Sequence, residues 1–182
     1  MSGLMLLTGG ARSGKSHVAV RAAHASRRPV VFVATGWAGD AEMHERIARH
    51  RAERPAHWQT VEERVELADA LRHADAESCV VVDCLSLWVA NLMEDGAGDE
   101  RVERLGLAAA TTAASRTAPT IAVTNEVGQG VVPASASGRR YRDLLGRVNA
   151  CWASTADRVA LVVAGHALPL PTADWLIEEL RR

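Results

Sequence analysis

GGARSGKS, residues Gly9 to Ser16, follows directly on the apolar run Leu4-Met5-Leu6-Leu7 and Thr8. This is the G-x-x-x-x-G-K-[ST] pattern of a phosphate-binding P-loop. Glycines let the backbone turn tightly enough for successive N–H groups to converge on a phosphate chain. Lys15 supplies a point charge to the outer phosphates, Ser16 offers a hydroxyl to Mg²⁺, and the helix expected from about His17 to Ser26 turns its positive end to the same anions. Gly9, Gly10, Ala11, Arg12, Ser13, Gly14, Lys15 and Ser16 are therefore the first nucleotide-binding candidates. The alternative is a glycine-rich turn without function, and the strand before and helix after the motif argue against it.

Beyond this stretch, apolar runs and helical segments alternate. Val30–Ala34 (VVFVA) is dense in β-branched residues and predicts a second strand after Pro29. A turn with Thr35, Gly36, Trp37 and Gly39 follows, and Asp40 is placed to cap a helix running to about Ala52, before Pro55. His57–Val61 reads as a short strand and Glu62–Ala74 as a helix. CVVVD, Cys79–Asp83, has the continuous apolar character of a strand buried on both faces. Helices are expected over Leu85–Met93 and Glu100–Arg116, a strand over Thr120–Thr124 and a long loop from Asn125 to Ser137. A further helix (Gly138–Thr155), a strand (Val159–Ala164) and a terminal helix (Thr172–Arg181) complete the reading. This order predicts an α/β three-layer P-loop fold of the RecA-like kind, a mainly parallel sheet with helices on both faces and a site at the carboxyl ends of its strands. At 182 residues the chain is expected to form a single nucleotide-binding catalytic domain over residues 1–182, large enough to bury roughly 70% of its unfolded surface.

Charge narrows the partners. With 21 Lys+Arg against 22 Asp+Glu the formal charge is −1, so no overall field would gather nucleic acid or an anionic membrane. The three cysteines are scattered, without zinc-site spacing, and read as reduced thiols of a cytoplasmic protein. No run approaches a membrane span.

Asp83, at the end of a buried strand, is placed to orient the Mg²⁺ shell beside Ser16, or else to cap the following helix. Glu126, in TNEVG just beyond the next strand, falls on the same rim and is a candidate to help bind metal or to steer an acceptor hydroxyl. His50 shares a helix face with Met43 and Ile47, a spacing that by itself describes a core-edge histidine. Its place near a helix C-terminus favours imidazolium, whereas a nucleophilic histidine must be neutral.

Several stretches occur in order: GGARSGKS, VATG, RIARHRAERPAHWQTVEE from Arg46, VVDCLSLWVANL from Val81, TNEVGQGVVP from Thr124 and YRDLLGRVNACWASTADRVALVVAG from Tyr141. Together they resemble the bifunctional adenosylcobinamide kinase and adenosylcobinamide-phosphate guanylyltransferase family of cobalamin biosynthesis. The resemblance implies phosphorylation of adenosylcobinamide with ATP or GTP, then transfer of GMP from GTP through a guanylyl-histidine to give adenosyl-GDP-cobinamide. It implies His50, in the H-x₃-R-P stretch, as the guanylylated residue. Lys15 and Glu126 are then the other catalytic candidates, and Thr35, Gly36, Trp37, Arg51, Ala52, Glu53, Arg54, Glu62 and Asp83 further nucleotide contacts. Mg²⁺ on Ser16 and Asp83, GTP and ATP as substrates, and a homotrimer with sites between subunits are implied as well. The tail from Gly165, GHALPLPTADW, departs from the short strand that closes the family. The competing readings are a RecA-like motor or nucleic-acid module, a nucleotide switch without transfer chemistry, and a different small-molecule P-loop kinase. A motor would need a basic face that this neutral chain lacks.

Overall fold

The computed structural model describes residues 3–37, 45, 48, 51 and 54–181. Strands β1 (Leu4–Thr8), β2 (Val30–Ala34), β3 (Gln59–Glu62), β4 (Cys79–Asp83), β5 (Thr120–Val123), β6 (Arg158–Val163) and β7 (His166–Pro169) form one seven-stranded sheet in the order β3-β2-β4-β5-β1-β6-β7. The first six run parallel, and β7 pairs antiparallel with β6. Helices are α1 (Lys15–Ala25), α2 (Leu67–His73), α3 (Leu85–Glu94), α4 (Asp99–Ala114), α5 (Ala136–Thr155) and α6 (Asp174–Glu179); Glu45, Ala48 and Arg51 are also helical.

Successive side chains of a strand face opposite ways, and here both ways lead to a core. Leu4, Leu6, Val31, Val33, Val80, Val82 and Ala122 join α3, α4 and α5 residues such as Trp88, Ala109, Leu144 and Trp152. Leu7, Val30, Phe32, Cys79, Val81, Ile121 and Val123 face Ala19 and Ala23 of α1. Strands sandwiched this way must be apolar at nearly every position, which is why CVVVD and VVFVA carry no alternation. Because β1 lies inside the sheet between β5 and β6, the loop after it opens onto the carboxyl ends of its neighbours.

Three expectations change. The helix expected over 62–74 starts only at Leu67, because Glu62 is paired to Ala34 as the last residue of β3. Next to it the Glu63 carboxylate accepts the N–H groups of Val65 and Glu66, fixing a turn where helix was expected. Helix α5 begins at Ala136 rather than Gly138, and Ser135 caps it by accepting the Gly138 N–H at 3.1 Å. The tail does supply a closing strand: Ala164 (φ 50°) and Gly165 (φ 80°) make a two-residue reversal that turns the chain back along β6 as His166–Pro169. Two positive φ values in a row match the right-handed twist of a hairpin.

Candidate nucleotide-binding site

The loop between β1 and α1 takes its shape from its glycines. Gly9 has φ 152°, and a Cβ there would stand 2.3 Å from the Val162 carbonyl oxygen; Gly14 has φ 94°. Lys15 is only 6% exposed. Its ammonium donates to the Gly10 carbonyl at 2.6 Å and lies 3.4 Å from Ser13 Oγ, curled into the loop where a phosphate chain would lie. Helix α1 has no side-chain N-cap and no acid in its first turn. The positive dipole end of such a helix suits an anion.

Asp83 ends β4, opposite Ala34 of β2 and Val123 of β5. Its charge and that of Lys15 both act on its neighbour Cys84. Burial, then the Asp83 carboxylate, push the Cys84 thiol up to about 11, while the Lys15 ammonium acts the other way. Val123 of β5 pairs with Asp83 on one side and with Leu7 of β1 on the other, so Asp83 and the P-loop lie at the same end of the sheet, and the Cys84 thiol is 2.8 Å from Ser86 Oγ. Thr35, expected to face a ligand, is fully buried: its hydroxyl donates to the Cys84 carbonyl at 2.7 Å and accepts the Cys84 N–H at 2.8 Å. The side chain that sequence assigns to the nucleotide instead fixes the turn carrying Asp83.

Glu126 is half-buried beside the P-loop. Its N–H donates to the Gly9 carbonyl at 3.0 Å, and its carboxylate accepts the Gly128 N–H at 2.6 Å. Asn149 of α5 holds this loop from below, accepting from Thr124 Oγ1 at 2.6 Å and donating to the Asn125 carbonyl at 3.0 Å. Across the rim Trp37 is 54% exposed, with the Arg64 guanidinium 4.5 Å from its ring centroid. Arg51 pairs with Glu62 at 2.9 Å on the surface. The Arg54 guanidinium lies 3.5 Å from the Phe32 ring centroid, against the α1 side of the sheet. His50, Ala52 and Glu53 lie outside the described residues.

Ser16, Lys15, Asp83 and Glu126 are therefore brought to one end of the sheet, as sequence proposes, while Thr35 and Arg54 turn inward. Sequence reasoning did not find Asn149, Arg64 or Asn91. The signal for Asn91 was present, an amide among the apolar positions of α3, where buried polar groups need partners.

A parallel sheet in which an inner strand runs into a glycine loop and an uncapped helix end, with an acid ending the next strand but one, defines a P-loop nucleotide-binding protein. Within that class, the family described as cobinamide kinase / cobinamide phosphate guanyltransferase matches residues 5–170, and the chain belongs to it. It is 44% identical over 173 residues to the bifunctional adenosylcobalamin biosynthesis protein CobP of Pseudomonas aeruginosa, covering 91% of this chain and 95% of that one. To the bifunctional adenosylcobalamin biosynthesis protein CobU it is 40% identical in Escherichia coli and 39% in Salmonella typhimurium, each covering 89% of this chain and 96% of the relative.

Proposed function

We propose that this chain is a bifunctional enzyme of adenosylcobalamin biosynthesis, acting as a single catalytic domain over residues 1–182. It phosphorylates adenosylcobinamide with ATP or GTP and then transfers GMP from GTP to the resulting phosphate. The observation that carries the reading is a glycine loop running into an uncapped helix start, with Asp83 ending β4 at the same end of the sheet, in a chain matched by the kinase/guanyltransferase family over residues 5–170.

In the first reaction the aminopropanol hydroxyl oxygen bonds to the γ-phosphorus, the nucleoside diphosphate leaves, and the hydroxyl proton passes to a base. Glu126 is that base in this reading. Lys15 and the α1 N–H groups hold the phosphates, since such transfers need mostly positioning and charge neutralisation. In the second reaction a neutral His50 imidazole nitrogen bonds to the α-phosphorus of GTP and pyrophosphate leaves. The cobinamide phosphate oxygen then takes the GMP, freeing His50. Splitting the transfer in two lets one phosphate cradle serve both reactions.

Ser16 and Asp83 offer a hydroxyl and a carboxylate, hard oxygen donors that suit Mg²⁺, which takes few protein ligands and completes its shell with phosphate and water. Bound there, Mg²⁺ would neutralise charge on the phosphates. Gly36, Trp37, Arg51, Ala52, Glu53, Arg54 and Glu62 line the nucleotide in this reading, and Thr35 acts through its backbone and through Cys84. Val163 and Leu168 of the β6–β7 edge and Leu170 just beyond it are exposed apolar residues, a surface that the homotrimer implied by the family resemblance would use. Among the described residues no helix is long and apolar enough to cross a membrane, in keeping with a cytoplasmic site of action.

The deciding experiment incubates the protein with Mg²⁺ and α-labelled GTP, denatures it and tests the label in acid and base, alongside His50→Asn. An acid-labile, base-stable label absent from the variant is expected. GTP binding without any label would instead leave a kinase or a switch. An unchanged kinase rate in Glu126→Gln would remove Glu126 as the base.

A further inference from the structure

Asn91 lies on α3 among Leu85, Trp88, Val89 and Leu92, the positions through which that helix packs onto the sheet. It is 6% exposed, and its amide nitrogen donates to two backbone carbonyls, Thr35 at 2.8 Å and Arg64 at 3.1 Å. A primary amide nitrogen has two hydrogens, and both are used. The acceptors belong to separate rim segments: Thr35 follows β2, and Arg64 follows β3.

The same two segments bear the stacked pair Trp37 and Arg64. Helix α3 grips the pair a second time through Glu94, whose carboxylate is 3.5 Å from the Arg64 guanidinium. It grips Thr35 through the backbone of Cys84, the residue that precedes its first turn. Without the Asn91 amide, two carbonyls would lose a partner in a site closed to most water, and the two segments would be free to separate.

We propose that Asn91 is a positioning residue for nucleotide binding, holding the Thr35 and Arg64 carbonyls together so that Trp37 and Arg64 present one preformed face to the nucleotide. The inference rests on Trp37 lining the nucleotide site, as proposed above. A preformed face removes the cost of ordering two loops when ligand arrives. Its loss therefore falls on affinity and spares turnover at saturation, whereas a purely structural loss lowers the folded fraction and leaves the affinity of the surviving molecules unchanged.

The test measures equilibrium binding of GTP with Mg²⁺, and kinase turnover at saturating GTP per folded molecule, for the wild type, Asn91→Leu, Arg64→Ala and the double variant. Asn91→Leu is expected to weaken GTP binding about tenfold while turnover stays within about twofold. The double variant should bind no more weakly than the worse single one, because both act on one face. Wild-type affinity in Asn91→Leu, or full multiplication of the two effects in the double variant, would overturn the proposal. Should Asn91→Leu not fold, Asn91→Ser is read by the same criteria. A wild-type protein that binds no GTP would overturn the proposed function and this inference with it.

Discussion

The backbone N–H of Gly165 donates to the Ser13 carbonyl at 2.8 Å, so the turn that reverses β6 into β7 is fastened to the phosphate loop. Gly14 meets the same turn, where a Cβ would stand 3.1 Å from Gly165 Cα. Gly14→Ala combines that contact with a left-handed φ of 94°, and the backbone conformation alone costs roughly 1–2 kcal/mol. It is expected to lower the melting temperature and to weaken GTP binding together. Gly165→Asn keeps a residue tolerant of positive φ and should do less of both; calorimetry with and without GTP separates the two effects.

Lys15 is curled onto the Gly10 carbonyl and places its ammonium in the phosphate loop. Lys15→Met is expected to lower both kinase and guanylylation rates by about 10²–10³, the scale for removing one preorganised donor from a site of developing charge. Circular dichroism should show an unchanged fold. A variant that lost one reaction and kept the other would show that the two do not share the cradle.

Thr35→Val keeps the shape but removes the hydroxyl that both donates to and accepts from Cys84. Two buried groups lose their partner, an expected loss of about 2–4 kcal/mol in urea unfolding at roughly 1–2 kcal/mol each. Thr35→Ser retains the hydroxyl and should recover most of that loss. Wild-type stability in Thr35→Val, with a loss confined to Thr35→Ser, would assign the effect to the methyl group.

Cys84 gives a signed pH dependence. Its thiol is raised from 9.0 to about 11 by burial first and by Asp83 second, so the folded state holds a proton that the unfolded state releases. Its contribution is fully present below pH 9 and is lost as pH rises through about 11, a loss of up to roughly 2–3 kcal/mol. Tyr141, raised from 10.0 to about 12 chiefly by burial, extends the decline in the same direction. Urea midpoints should fall between pH 9 and 11, and Cys84→Ala should fall less steeply; parallel slopes would remove Cys84 as the source.

Much of this fold is visible in the chain because a doubly covered parallel strand must be apolar throughout. VVFVA and CVVVD mark β2 and β4 with the observed bounds, and GGARSGKS names both the loop and the strand before it. The β7 strand is not legible: HALP is exposed at each of its positions, and neither periodicity nor apolar content marks an edge strand that gains its hydrogen bonds from a neighbour alone. Helix α2 was overextended because its predicted start holds good helix formers, and pairing to β2 overrode that propensity.

By itself the sequence determined the P-loop, the α/β alternation and the placing of Lys15, Ser16, Asp83 and Glu126 at strand ends, since these follow from local spacing and from which runs can be buried. Only the tertiary structure decided that Thr35 turns its hydroxyl inward to Cys84, that Asn91 joins two rim segments, and that the β6–β7 turn braces Ser13. These are hydrogen bonds between residues far apart in the chain. A polar side chain reveals that it needs a partner; which carbonyl supplies one is settled when the strands align.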